Sequence, residues 1–364
     1  MKRILMIAAK LDTGGAEKVE ADIGLYADPA RFDVHYVVFG GETGVYEQKL
    51  RSHGCRIFHM PPPSAGYRAY MLNLRRLAET YRYDVIHAHT MFSAGWAMLA
   101  GRLCGIPVRV AHAHSALAER RSLKVRLYEA AMRALILSCA TDYAACGVAA
   151  GERLYGRRVF ERRGRVLLNG VDTRRFAYAP EMREECRKRL GVRERLVIGH
   201  AGHFAAVKNQ AFLIGLMPEI LKKRPDALLL LLGDGEDRPE LESMTARLGL
   251  EEHILTTGNV ENVEDYLCAM DAFAFPSLYE GTPLALIEAQ SNGLPCIVSD
   301  RVPRDAFLTE LVRPLPLERP SEWVEALCAA RRAEPEKYAE AVRRSGFDVS
   351  SAMERIYVLY EGER

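Results

Sequence analysis

The strongest constraint on the fold is a set of short apolar runs that do not alternate with polar positions. RILMIAA (residues 3–9), VHYVVFG (34–40) and VIHAH (85–89) are apolar at successive positions, so both faces of the strands they form must be covered. Such strands belong to parallel sheets with helices above and below. Strands are expected near residues 3–9, 32–39, 55–60, 84–89, 108–114, 142–146 and 166–169, with helical periodicity between them. A turn at NGVDTRRF (169–176), then Pro180 and a charged helical stretch, break the rhythm, which resumes near 196–201, 227–232, 254–257, 272–276 and 295–299. The expected architecture is α/β. It consists of two tandem Rossmann-like, doubly wound domains at residues 1–172 and 196–349, joined by a linker at 173–195. In open sheets of this kind ligands gather beyond the strand carboxyl ends, which makes an interdomain cleft the expected site. The last helical stretch, 350–362, has an apolar face at 353, 356, 357 and 360 that must bury, and packing back on the first domain is one way to do so.

The net charge of +2 hides an asymmetry, because the first 172 residues carry an excess of about nine positive charges. This favours an anionic partner such as a membrane surface or a phosphorylated substrate. Nucleic acid is not expected, since the basic residues are scattered and no aromatic stacking motif accompanies them. Eight cysteines without a Cys-x-x-Cys pair point to reduced thiols and a cytoplasmic location. The first apolar run is too short for a signal-peptide core, and no segment is expected to span a bilayer. A basic helix at 118–137, with Arg120, Arg121, Lys124 and Arg126, has an apolar stripe at Leu123, Leu127, Ala130 and Ala134. The stripe reads either as a core face or as a surface that rests on anionic lipid at the inner face of the plasma membrane.

The segment FAFPSLYEGTPLALIEAQSNGLPCIVSD (273–300) carries the most chemistry. A buried strand ends at Pro276, a loop holds Glu280 and Gly281, and Thr282 followed by Pro283 reads as an N-cap and first turn. Glu288 then falls among apolar residues, where a carboxylate is costly unless it is hydrogen-bonded. Free amides at Gly281 to Leu284 offer an anion cradle flanked by two carboxylates suited to hydroxyls, the arrangement a sugar nucleotide needs. Gly14 and Gly15 follow the first strand, where small residues allow close approach of a ligand. His87 with His89, and His112 with His114, share faces at strand spacing, yet no third ligand accompanies them in the sequence and no metal is expected. GDGED (233–237) reads as a helix N-cap, not as a metal-binding motif.

Glu280 and Glu288 resemble the Glu-x7-Glu motif of the retaining glycosyltransferase family 4, whose members have the GT-B fold. The resemblance extends over nearly the whole chain through LDTGGAEK (11–18), AHAHS (111–115), LLNGVDTRRF (167–176), GHFAAVKNQ (202–210), LLGDGED (231–237) and TGNVENVEDYL (257–267). It is nearest to bacterial enzymes of capsule and exopolysaccharide synthesis. It implies that a nucleotide-diphosphate sugar, with a UDP-sugar favoured, donates to a surface-glycan or lipid-linked acceptor without a cofactor or metal. It further implies that Glu280 holds the donor sugar, Glu288 the ribose, and the amides of Gly281, Thr282 and Leu284 the diphosphate. Lys208 would supply charge to the leaving diphosphate, the main chain at Asn259 and Val260 would face the base, and Gly15 would lie near the donor. The catalytic histidine aligns with His114 in preference to His112. Where the family usually has Arg, this chain has His203, so a weaker hold on the diphosphate or an acid-shifted pH dependence is expected. Two rival readings of the same architecture are a nucleotide-sugar epimerase and a catalytically silent nucleotide-binding subunit.

Overall fold

The computed structural model describes residues 1–12, 15–41, 43–115, 122–332 and 334–362. Gly14, Arg120 and Arg121 lie outside the described residues. The chain forms two compact units, one of Met1–Gly170 with Val349–Arg364 and one of Val171–Asp348.

In the first unit, strands β1 (Lys2–Ile7), β2 (Phe32–Phe39), β3 (Arg56–Met60), β4 (Val85–Ala88), β5 (Val108–Ala113), β6 (Asp142–Ala145) and β7 (Gly164–Val166) form one sheet. Its order is β3-β2-β1-β4-β5-β6-β7, with every pair parallel. Neighbouring residues of β1 serve opposite faces: Leu5 and Ile7 join one core, and Ile4 and Met6 the other. That division is why the run shows no polar alternation. The C-terminal helix Val349–Glu361 covers the second face through Met353, Ile356, Tyr357 and Tyr360. Tyr357 stacks on Phe32 at 4.7 Å, and Lys2 Nζ donates to the Tyr360 carbonyl at 2.9 Å.

The second unit holds β8 (Leu196–Ala201), β9 (Ala227–Leu232), β10 (Ile254–Thr256), β11 (Ala272–Phe275), β12 (Cys296–Ser299) and β13 (Val312–Leu315). Their order, β10-β9-β8-β11-β12-β13, is again wholly parallel. The core packs Ile198, Leu229, Leu231 and Ala274 against Leu213, Ile214 and Met217 of the helix Gln210–Lys223 and against the fully buried Trp323.

Four expectations shift. Residues 173–195 are not a separate linker but part of the second unit, where the helix Pro180–Leu190 is fastened by Arg183 and Arg187 to Asp271 at 2.5 and 3.2 Å. β13 has no clear sequence signal, because an edge strand tolerates the proline and exposed residues of VRPL. β7 begins at Gly164, earlier than the expected 166. The basic helix runs Leu123–Cys139 and buries Glu129, Met132, Ile136 and Cys139, whereas Leu123 is 70% and Leu127 63% exposed. The apolar stripe is therefore not a core face.

Loops at the carboxyl ends of β8, β9 and β10 are held together through Gly233. Its φ is +134°, and a Cβ there would lie 2.1 Å from the Gly202 carbonyl oxygen. Its amide donates to the Gly258 carbonyl at 3.0 Å, while the Gly202 amide donates to Leu232 at 3.0 Å. Gly233→Ala is expected to cost about 1–3 kcal/mol or more, read as a lower urea midpoint with an unchanged m-value.

Candidate active site

In the second unit the connection reverses direction between β8 and β11, the place where open α/β sheets bind ligands. The loop after β8 carries His203 and Lys208, and the loop after β11 carries Glu280. Two bonds fix the two loops against each other, and a third braces the first loop internally. The Leu278 amide donates to the Val207 carbonyl at 2.8 Å, Asn209 Nδ2 to the Pro276 carbonyl at 3.3 Å, and Gln210 Nε2 to the His203 carbonyl at 3.0 Å. Asn209 adopts the left-handed conformation, φ +57°, which Asn tolerates better than most residues. Lys208 Nζ then sits 2.7 and 3.0 Å from the two carboxylate oxygens of Glu280 and 5.6 Å from the centre of the Phe275 ring. With side chains 23% and 9% exposed, the pair is shielded enough for its charges to count.

The helix after Glu280 starts later than expected. It runs Leu284–Ser291, Pro283 occupies the cap position and no side chain caps it, so Thr282 is not an N-cap. The Leu284 amide turns back to the Thr282 carbonyl at 3.0 Å and is not open to an anion. The amides of Gly281, Thr282 and Ala285 have no hydrogen-bond partner among the described residues. The open amides thus include that of Ala285 in place of Leu284, a shift of one residue that follows from the later helix start. No atom lies within 4 Å of a Cβ built on Gly281, so its backbone is open. Glu288, two turns further into this region, is buried in the helix as its apolar neighbours require.

Asn259 and Val260 follow β10; Asn259 is exposed and Val260 half-buried, and the neighbouring Gly258 is tied to Gly233. His203 does not pair with Lys208. Its Nε2 lies 2.7 Å from Glu236 Oε2, with both side chains more than half exposed. Gly235 leaves room for this imidazole, since a Cβ there would lie 2.8 Å from His203 Cε1. Glu236 titrates below its ordinary range, chiefly through its own backbone amide and then through His203. Asp237 occupies the N-cap position of the helix Arg238–Arg247 without a side-chain cap bond, and Asp234 instead accepts from the Gly235 amide and Arg238 Nη1, each at 2.8 Å.

His200, inside β8, joins the site without having been expected there. Its Nδ1 is 2.9 Å from the Ala274 carbonyl oxygen, and Gln210 Nε2 is 3.4 Å from its Nε2. It therefore braces β8 against β11 just below Lys208. A lone histidine in an apolar strand gives no sequence signal for that role. Burial, opposed by the Ala274 hydrogen bond and aided by the Lys208 charge, lowers its pKa to about 4.

In the first unit, His89 and His114 follow β4 and β5, with His89 Nδ1 2.7 Å from His114 Nε2. His87 Nε2 is 3.2 Å from His112 Nδ1 and His87 Nδ1 is 2.7 Å from the Tyr360 hydroxyl. Of the four, only His114 is half-buried; His87, His89 and His112 are buried. Burial holds His114 down to about 4 and His87 to about 3, so at neutral pH these rings are uncharged. Gly15 opens the helix Gly15–Tyr26 and is exposed, with nothing within 4 Å of a Cβ built on it.

Comparison with known proteins identifies the class. Residues 195–344 match the family described as Glycosyl transferases group 1, and residues 13–175 match Glycosyltransferase Family 4. Over 370 residues the chain is 34% identical to EpsF of Bacillus subtilis (strain 168), which bears the name of a glycosyltransferase; the match covers 99% of this chain and 96% of EpsF. It is 30% identical over 243 residues to the UDP-Gal:alpha-D-GlcNAc-diphosphoundecaprenol alpha-1,3-galactosyltransferase of Escherichia coli, covering 63% of this chain and 61% of that one. Among solved structures, HepE of Anabaena in complex with UDP gives a TM-score of 0.79 at 20% identity, with both chains covered in full. The chain belongs to glycosyltransferase family 4, with the GT-B fold, and is a glycosyltransferase.

The neutral buried histidines set an acid limit. The unfolded chain has imidazoles near 6.5, so between about pH 6.5 and 4 it binds protons that folded His200 and His114 do not. Their contribution is fully present above about pH 6.5 and is lost as pH falls towards 4. Urea midpoints measured across this window are expected to fall on acidification, and more shallowly in His200→Gln than in wild type. Parallel slopes would show that His200 stays protonatable in the fold.

Proposed function

We propose that this enzyme transfers a sugar from a UDP-sugar to a lipid-linked or growing surface-glycan acceptor with retention of anomeric configuration. The observation that carries this reading is the shielded Lys208–Glu280 pair beside the open amides of Gly281, Thr282 and Ala285, at the topological switch point of the second unit. As the glycosidic bond breaks, its electron pair moves to the β-phosphate oxygen. Lys208 and the amides hold that charge without a metal, because a preorganised ammonium and fixed N–H groups stabilise it more than water does. The acceptor hydroxyl adds on the face the diphosphate leaves, and its proton passes to the leaving phosphate oxygen. Glu280 orients hydroxyls of the donor sugar and Glu288 those of the ribose; Asn259 and Val260 face the base through the main chain. Neutral His114, in the first unit, is assigned a hydrogen bond to the reacting sugar. His203, tied to Glu236, is the weak member of the diphosphate set. The Escherichia coli relative, whose name specifies UDP-galactose and a diphosphoundecaprenol-linked acceptor, supports this donor and acceptor class and a role in polysaccharide synthesis.

Glu280→Gln and Lys208→Ala are each expected to lower turnover at least about tenfold, a loss of about 1.36 kcal/mol of transition-state stabilisation. The assay is transfer from UDP-sugars to an undecaprenyl-diphosphate-linked sugar. Full turnover in both variants overturns the site. Conversion of the donor with no acceptor present identifies an epimerase instead, and UDP binding without transfer identifies a silent subunit.

Among the described residues no helix is long and apolar enough to cross a membrane. The helix Leu123–Cys139 nevertheless presents Leu123, Val125, Leu127 and Tyr128 to solvent, with Lys124 and Arg126 among them. This combination suits insertion of apolar side chains beneath anionic headgroups at the cytoplasmic face. Co-sedimentation with phosphatidylglycerol vesicles is expected for wild type and to fall several-fold in Leu123→Asp with Leu127→Asp, while neutral vesicles bind neither.

A further inference from the structure

The helix Gly15–Tyr26 buries a carboxylate, Glu20, which is only 4% exposed. Its Oε2 has no hydrogen-bond partner among the described residues, and neither do the buried Nε2 atoms of His89 and His112. A carboxylate removed from water without a partner is costly, and burial pushes this one well above the usual carboxylate range. One donor atom from each of Glu20, His89 and His114 lies within 4.8 Å of the other two. His87, His89 and His112 form a second trio of the same spacing. The third ligand that the sequence lacked near its histidine pairs thus comes from the helix after β1, about seventy residues upstream of His89.

The two trios are not equivalent. His87 engages both nitrogens, with Tyr360 and His112, and three neutral imidazoles would leave a buried dication without a counter-charge. Glu20 supplies that negative charge as the incoming cation displaces the proton that burial favours on it. His114 is the half-buried member, so the first trio has a solvent-facing edge that the second lacks. Nitrogen and carboxylate donors together suit zinc, which binds at about 2.0–2.2 Å and places neighbouring tetrahedral ligands roughly 3.3 Å apart. An ion bound between His89 Nδ1 and His114 Nε2 replaces the 2.7 Å bond that joins them, and the two nitrogens part by roughly half an ångström to reach tetrahedral spacing.

We propose that Glu20, His89 and His114 form a binding site for a divalent transition metal ion of the zinc class, at the carboxyl ends of β4 and β5 in the first unit. The site shares no residue with the Lys208–Glu280 pair of the second unit, but it shares His114 with the chemistry proposed above and in that respect rests on that reading. Metal on His114 also occupies the nitrogen lone pair that this chemistry assigns to the sugar, so the ion acts as a brake and not as a cofactor.

The test is a Co²⁺ titration of the full chain after chelator treatment, followed by the visible absorption of four-coordinate cobalt and its displacement by Zn²⁺. Wild type is expected to bind about one equivalent, with affinity at least about tenfold weaker in Glu20→Gln and His89→Gln. Lys208→Ala is expected to bind as wild type does. Should the buried variants fail to fold by circular dichroism, His114→Gln, at a half-buried position, provides the same comparison. Absence of saturable binding overturns the proposal, as does unchanged affinity in the ligand variants. Binding that survives Glu20→Gln but is lost in His112→Gln places the ion in the other trio and overturns it equally.

Discussion

Burial of both faces of two parallel sheets is the constraint on which the rest of the structure depends. Once Leu5 and Ile7 face one core and Ile4 and Met6 the other, both sheet faces are packed, and the histidines inside the strands, His87, His112 and His200 among them, are buried. The second sheet is closed in the same way by Ile198, Leu229 and Leu231. Groups that can meet a ligand are left at the strand ends, where backbone amides and carbonyls lack sheet partners. Lys208, Glu280, His89 and His114 all sit at carboxyl ends, and each is positioned by the strand that precedes it.

The Lys208–Glu280 contact has two faces. In the free protein the ammonium and carboxylate satisfy each other, which lets both be sheltered without an uncompensated charge. Under the proposed function, a diphosphate arriving at Lys208 would offer a stronger anionic partner, and sugar hydroxyls would offer donors to the carboxylate it releases. The pair would then be a holding arrangement in which each side chain keeps the other in place until substrate divides them. The buried His200 beneath it remains neutral because burial penalises the charged ring and the Lys208 charge adds to that penalty, which the hydrogen bond to the Ala274 carbonyl only partly offsets.

Much of this was legible in the sequence, for identifiable reasons. Strands covered on two faces announce themselves as unbroken apolar runs, so twelve of the thirteen strands were expected close to their places, while the edge strand VRPL, lacking that burden, was not. Glu280 and Glu288 stand out because they lie in one segment whose turn and helix signals are local, whereas Lys208 is singled out through the family resemblance. Contacts between distant segments were not legible. Nothing near His203 announces Glu236, and nothing near His89 announces Glu20, because these pairs are made by the crossing of loops and helices after the chain has folded. The exposed side of the helix Leu123–Cys139 was ambiguous for a related reason: its apolar residues populate two faces, and only packing decides which face is inward.

The path of the chain has a consequence for how the protein is made. The first unit begins at Met1 but is completed only by Val349–Glu361, whose Met353, Ile356, Tyr357 and Tyr360 cover one face of its sheet. As the chain leaves the ribosome, the part of that face not packed by Ala21, Ile23 and Leu50 stays uncovered throughout synthesis of the entire second unit, which is contiguous from Val171 to Asp348 and has all its parts first. All parts of the second unit are thus made before the first is complete, and the first sheet waits for its C-terminal helix through roughly 180 residues of elongation, on the order of 10–40 seconds.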